Sequence, residues 1–429
     1  MKKKYHPSVW VAVITILTIL ILSPTQAQAD AVSDWNQFAI QRIGAEVPAH
    51  PTPLVFVEMA IVQIAVYDAV QAIEKQYEPY HVRIPGASGS PDAAAAKAAR
   101  DVLINLLPGQ SMAIDNQYNM YMATHGLTND PGIAVGTTAA AGIIALRSND
   151  GRNPPGQVPF VGSTEIGQWR PTDSFITPKV PAPFSPMAAP WIAKVTPFTL
   201  KTVDQFRAVA PPRLNSHRYT EAYDEVKAMG ARFNSERTNE QTNLAYFWAL
   251  NYPAVWNRVV RDIAASQSLG ISENSRLSAF VNVSMADAII TSWDSKVAYN
   301  FWRPLTAIRL GHDDTNPDTI GDPTWEPLVN NPNYPDYTSG ANNVSAAATR
   351  SLALFFGADE MSFTVFTTNN TPGIPASITY SRFSDAADDV VNARIWEGIH
   401  FRFADEEAFK QGRHVAQWVF GHVLKPLDE

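Results

Sequence analysis

Apolar residues recur at helical spacing along most of the chain, and strand-like alternation is scarce. Over 54–73, Val55, Met59, Val62, Val66, Ala69 and Ile73 share one broad face, and the pattern ends before Tyr77, Glu78 and Pro79. Ser90 and Pro91 supply an N-cap and a first-turn proline for a helix over 92–107, which Pro108-Gly109 stops. Helices also fit 111–124 and 131–147. Over 150–212 the chain turns Pro-rich and aperiodic, yet Phe160, Phe175, Phe184, Trp191 and Phe198 give it more apolar anchors than a linker carries. It is expected to be an ordered loop wrapping the helices.

Helical pattern resumes at Ser216, and Thr238-Asn239-Glu240-Gln241 forms a capping box for a helix ending near Asn251-Tyr252. Further helices are predicted over 253–269, 272–301, 342–356 and 390–423, the last interrupted near 404–411. The expectation is an all-α protein with N-terminal helices over 50–147, a wrapping loop over 150–212 and a C-terminal bundle over 216–425.

The first residues have a different logic. Lys2, Lys3 and Lys4, an apolar run from Val9 to Leu22 and Ala27-Gln28-Ala29 make up a secretory signal over 1–29, with cleavage near Ala29 and a mature start near Asp30. The run is shorter than the ~20 residues that span a bilayer, so no stable membrane anchor is expected, and the protein is expected to be secreted or periplasmic. No later stretch reads as a transmembrane helix. Cysteine is absent, which excludes disulfides and thiolate metal sites. The net charge of −8 becomes −11 without the three leader lysines, which argues against nucleic acid or anionic membrane as partner. Clustered cations are therefore local exceptions.

Three such clusters occur in order. Lys296 and Arg303 are seven residues apart, near one azimuth if a helix continues through both, with Pro304 forcing Arg303 to the helix end. They could hold one anion, or simply be solvated. Thr338-Ser339-Gly340 precedes an Ala-rich helix, whose first N–H groups and the Ser339 hydroxyl suit either an anion cradle or ordinary capping. Arg394 offers planar bidentate contact and His400 a ligating or nucleophilic nitrogen, although a histidine among aromatic residues is commonly structural.

Taken together, Lys296-x6-Arg303-Pro304, Thr338-Ser339-Gly340-Ala341 and Ala393-Arg394-x5-His400-x3-Ala404 resemble the motifs of the vanadium-dependent haloperoxidases and type 2 phosphatidic-acid phosphatases. Gln168-Trp169-Arg170-Pro171 and the block 301–309 look like the secreted bacterial haloperoxidase branch. The resemblance implies a helical fold with a four-helix-bundle core. Lys296, Arg303, Ser339, Gly340 and Arg394 would hold the oxyanion, and His400 would ligate vanadium. The implied activity is halide oxidation by hydrogen peroxide at vanadate. A phosphomonoesterase acting through phospho-His400, with phosphate as substrate anion, and a non-catalytic anion binder are the alternatives.

Two positions depart from the family pattern. Ala341 stands where the family has an acid–base histidine, a loss typically worth ~10²–10⁴-fold, and His312 is a conceivable substitute. Ala404 replaces an aspartate that would orient His400, which leaves Asp405 or Glu397 as expected orienters. Asp313, Asp314, Asp318 and Asp322 form an acidic loop without EF-hand spacing, and His414 and His422 lie too far apart on a helix to share zinc.

Overall fold

A computed structural model describes residues 30–152, 154, 159–172, 186–369 and 371–427. The secretory signal over 1–29 and the anchors Phe175 and Phe184 lie outside the described residues. Helices α1 (Ala31–Gly44), α2 (Thr52–Glu74), α3 (Pro91–Leu106), α4 (Ser111–Thr124) and α5 (Gly132–Arg147) form the N-terminal part. After the loop come α6 (His217–Met229), α7 (Asn239–Trp248), α8 (Tyr252–Ser266), α9 (Ile271–Tyr299), α10 (Pro304–Arg309), α11 (Gly340–Phe356), α12 (Phe383–Trp396) and α13 (Arg402–His422). The all-α expectation holds, with local exceptions.

Helix starts follow side-chain chemistry. Ser90 Oγ accepts from the N–H groups of Asp92 and Ala93, and the Thr238–Gln241 capping box closes in both directions. α2 has the length and hydropathy of a membrane span, which the sequence reading did not credit to it, but its apolar window is wholly buried against α3, α5 and α9. Asp68 on this helix accepts from the N–H groups of Tyr80 (2.6 Å), His81 (3.0 Å) and Val82 (2.8 Å), fixing the chain that leaves it. α9 packs on α2 from one side and on α11 and α13 from the other, so it joins both halves of the molecule. Gly412 lets α13 approach α11, since a Cβ there would collide with the Asn343 carbonyl oxygen.

Two local expectations are corrected. Strands β1 (Glu360–Phe366) and β2 (Ser377–Arg382) pair antiparallel, with Phe363 opposite Tyr380 and Val365 opposite Ile378. Phe363, Val365 and Tyr380 bury one face of this hairpin, which packs against α8 and α12. The break in the final helical stretch falls over 397–401 rather than 404–411. Gly398 takes φ +79° there, and Asp405 lies in the first turn of a new helix, where a carboxylate suits the helix dipole.

The described parts of the wrapping loop are docked. The Trp169 N–H donates to the Asn300 carbonyl (2.7 Å) and the Trp302 N–H to the Gly167 carbonyl (3.0 Å). Asp287 of α9 accepts from Phe198 N (2.6 Å), Thr199 N (2.9 Å) and Thr199 Oγ1 (2.6 Å). The loop thereby holds the C-terminal end of α9, where the first cationic cluster lies.

Candidate functional site

Lys296 sits in the last turn of α9, fully buried, and its Nζ donates to the carbonyl oxygens of Pro335 (2.7 Å) and Asp336 (3.0 Å). An ammonium has three donors, so one is left. Arg303 reaches the same place by another route than the expected shared azimuth. Asn300 takes φ +44° and ends α9, and Arg303 is extended at the entrance to α10, as a residue before proline prefers. Its Nε donates to the Tyr334 carbonyl (2.7 Å) and its Nη1 to the Ile399 carbonyl (2.6 Å), while Nη1 lies 3.5 Å from His400 Nε2. The Tyr334 ring packs under both cations, 4.9 Å from Lys296 Nζ and 4.8 Å from the Arg303 guanidinium carbon.

Ser339 precedes α11 without capping it through its side chain, so ordinary N-capping does not account for the hydroxyl. The Ser339 N–H donates to the Ala404 carbonyl (3.1 Å), and its Oγ accepts from Asn342 Nδ2 (3.3 Å). The preceding Tyr337–Thr338 peptide is cis. Gly340 opens the helix against Trp293, where a Cβ would stand 3.0 Å from Cζ3. Arg394 lies in the last turn of α12 and donates through Nη1 to Glu397 Oε2 (2.6 Å). His400 is in the turn between α12 and α13, above a buried aromatic layer that includes Phe401 stacked on Phe403 at 5.1 Å. Two different elements therefore supply Arg394 and His400, which removes the problem of their six-residue spacing.

Neither expected orienter faces the imidazole. Glu397 is engaged by Arg394, and Asp405 Oδ1 accepts from Asn342 Nδ2 (2.7 Å). The carboxylate beside His400 is Asp336, whose Oδ1 lies 2.7 Å from Nδ1. The two atoms are in close contact, and neither has another hydrogen-bond partner among the described residues. Asp336 is fully buried and held by its own N–H to the Phe301 carbonyl (3.0 Å). Sequence reasoning missed it; its signal was an acid three residues before Ser339, inside a stretch otherwise suited to burial.

Burial and the neighbouring cations set the charge states. Burial, then Arg303, Arg394 and Lys296, hold the His400 pKa well below its ordinary value, so the imidazole is neutral with a free lone pair. Burial and Arg303 lower Lys296 strongly, and burial brings Arg303 down to about 10. Burial alone would lower Arg394, but Glu397, Tyr252, Tyr334 and Asp405 together outweigh it and shift the guanidinium upward. Burial raises Asp336 and Glu397 to about 7 and Asp405 well above the carboxylate range, Asp336 adding to the last. Arg303 Nη2 and Arg394 Nε remain buried donors without a partner. Unpaired buried donors are costly, and a bound oxyanion would satisfy them.

Beside this cluster is a cavity of about 370 Å³. Gly340, Ala341 and Arg394 line it, as do His50, Phe56 and Tyr252. Two other expectations find no place here. His312 is exposed, and Asp314 spends its oxygens on the N–H of Asn316 and the hydroxyl of Thr319. Among the described residues no cluster of His, Asp and Glu could hold a metal ion.

The family of the VCPO second helical-bundle domain matches residues 276–429, a span containing Lys296, Arg303, Ser339, Gly340, Arg394 and His400. The vanadium chloroperoxidase of Curvularia inaequalis is 32% identical over a match covering 37% of this chain and 31% of that protein. Residues 276–429 are therefore similar to the second helical-bundle domain of the vanadium chloroperoxidases. The likeness in fold extends along nearly the whole chain. A bacterial vanadium-dependent iodoperoxidase superposes with TM-score 0.78 at 24% identity, covering 94% of this chain and 99% of that one. A bacterial vanadium-dependent chloroperoxidase in its holo form gives 0.70 at 19% identity, covering 93% of each chain. The chain thus matches less than a third of the curated relative's length in sequence, and the bacterial enzymes across most of theirs in fold.

Proposed function

We infer that the protein is a vanadate-dependent haloperoxidase, oxidising halide with hydrogen peroxide outside the cytoplasm. One observation carries the reading: three buried cations and a neutral His400 converge, and two of the arginine donors there lack a partner. Such a set suits a compact multivalent oxyanion bonded through an imidazole nitrogen. The third donor of Lys296, Arg303 Nη2, Arg394 Nε, the Ser339 hydroxyl and the first N–H groups of α11 would hold the oxygens, with His400 Nε2 as the ligand. Bound there, vanadate would activate peroxide for transfer of an oxygen atom to halide. Asp336 would keep the Nδ1 proton on its own side of the ring, leaving Nε2 free. The aromatic layer and the wrapping loop would keep bulk water from the cations. The leader read from the sequence supports export, and the bacterial relatives support peroxidase rather than phosphatase chemistry.

The test is peroxide-dependent halogenation of a dye with iodide, bromide and chloride, with and without added vanadate, in phosphate-free buffer. Activity that requires vanadate and is abolished by His400→Ala is the expected result. Vanadate-independent hydrolysis of a phosphomonoester by the same samples, without halogenation, would replace the reading with the phosphatase one. Absence of both activities with oxyanion binding retained would leave a binding protein.

A further inference from the structure

The cavity beside the cationic cluster has a second titratable wall. His50 belongs to the short connection between α1 and α2, six residues after α1 ends at Gly44 and two before α2 begins at Thr52. Its Nδ1 lies 2.8 Å from Glu58 Oε2, and Glu58 is almost completely buried in α2. A buried carboxylate with a single histidine partner is an expensive arrangement for merely pinning a loop. With Nδ1 engaged, Nε2 is the ring nitrogen left to act at the cavity that His50 lines. The His50 side chain is 22% exposed, so the ring can exchange protons with solvent while facing the site. The same cavity is lined by Gly340, Arg394 and Ala341, and Ala341 has no proton to give.

We propose that His50, positioned by Glu58, is the proton-transfer residue of the oxyanion site, reaching it from the N-terminal part of the fold. The inference rests on the haloperoxidase reading and identifies a participant which that reading lacks. In the overall reaction H₂O₂ + X⁻ + H⁺ → HOX + H₂O, halide gives two electrons to the peroxide O–O bond. One oxygen goes to halide, and the other leaves as water. The proton consumed is the one delivered by His50 Nε2, which regains it from solvent. The Glu58 hydrogen bond raises the His50 pKa above its ordinary value, with Glu46 adding to it, so the acid form extends towards neutral pH. The other ionisable groups around this pair are Arg152, felt by Glu58, and Arg394, Tyr252 and Tyr334, which line the same cavity. Imidazolium contributes below its pKa, so turnover should fall as pH rises through the His50 pKa.

The experiment uses the full chain and vanadate itself. Calorimetric titration with vanadate in two buffers of different ionisation heat counts the protons exchanged on binding, and is run on wild type, His50→Gln and Glu58→Gln. Halogenation profiles against pH are recorded on the same samples. The expected result is a proton count altered in His50→Gln, with vanadate affinity within about threefold and turnover down ~10²–10⁴-fold. Glu58→Gln should move the alkaline limb to lower pH by about one unit, which a purely structural clamp would not do. His50→Gln combined with Ala341→His should regain turnover. An unchanged proton count in His50→Gln, or an unmoved limb in a folded Glu58→Gln, overturns the proposal. Wild type that binds no vanadate overturns the haloperoxidase reading and the proposal together. Wild type that binds vanadate without turnover overturns both as well, whereas turnover in wild type with an unchanged proton count in His50→Gln overturns the proposal and leaves the haloperoxidase reading standing.

Discussion

Asp336→Asn should separate orientation of His400 from charge at the site. The carboxylate stands 2.7 Å from Nδ1, whereas the lysine is held by the backbone carbonyls of Pro335 and Asp336, which the substitution leaves in place. Two effects follow, and they oppose each other. Removing a carboxylate from beside three cations strengthens attraction for any oxyanion. Removing the group that fixes the imidazole weakens only an anion bonded through Nε2, typically by 10–100-fold, or about 1.4–2.8 kcal/mol. Neither affinity alone is therefore diagnostic. Their ratio is.

Vanadate can bond to His400, and phosphate at equilibrium measures the charge contribution alone. The dissociation constant of vanadate is measured by calorimetry, and that of phosphate by competition, for wild type, Asp336→Asn and Asp405→Asn. The preference for vanadate over phosphate should fall about 10–100-fold in Asp336→Asn. Asp405→Asn also removes a buried carboxylate, but one bonded to Asn342 rather than facing the ring, so it should leave the preference alone. An unchanged preference in Asp336→Asn, or a larger loss in Asp405→Asn, would refute the assignment.

Other expectations concern the frame around the site. Gly340→Ala would put a Cβ 3.0 Å from Trp293 Cζ3 and 3.4 Å from Ile289 Cδ1, so a loss of about 1–3 kcal/mol is expected by urea titration, with weakened oxyanion binding. Asp68→Asn cannot offer two acceptor oxygens to the N–H groups of Tyr80, His81 and Val82; a loss of about 1–3 kcal/mol with unchanged vanadate preference is expected. Glu397 is raised to about 7 by burial, so its contribution to stability is complete below the ordinary carboxylate range and is lost as pH rises through about 7. The Tm measured without oxyanion should decline across that interval, and less steeply in Glu397→Gln.

What could be read from the sequence was mainly local. The Ser90 and Thr238 caps act within three residues, and α2 to α5 follow from period and punctuation, whereas α1 was not anticipated. The hairpin escaped because its alternation spans only six or seven residues per strand, and its hydrophobic face is given meaning by α8 and α12, distant in sequence. The misplaced break had a related cause. Asp405, Glu406 and Glu407 resemble a polar interruption, but they fit the positive end of a starting helix. At the site, the order of Lys296, Arg303, Ser339, Arg394 and His400 was visible. The turn at Asn300, which changes how Arg303 arrives, belongs to tertiary packing.

The two departures from the family motifs lead to different places in the fold. At 404 the chain supplies only a backbone carbonyl, used by Ser339 N–H, and the acid next to the imidazole comes from 336, before the Ser-Gly turn. Orientation therefore stays within the C-terminal part of the protein. At 341 the chain supplies only a methyl group to the cavity wall, and the imidazole lining the same cavity is His50. Proton transfer would then depend on how α2 is set against α9, the contact joining the two parts of the molecule. A variant that loosens α2 without touching the cationic cluster, such as Asp68→Asn, should consequently lower turnover more than it lowers vanadate affinity. Equal losses in both would mean that the N-terminal helices only support the site.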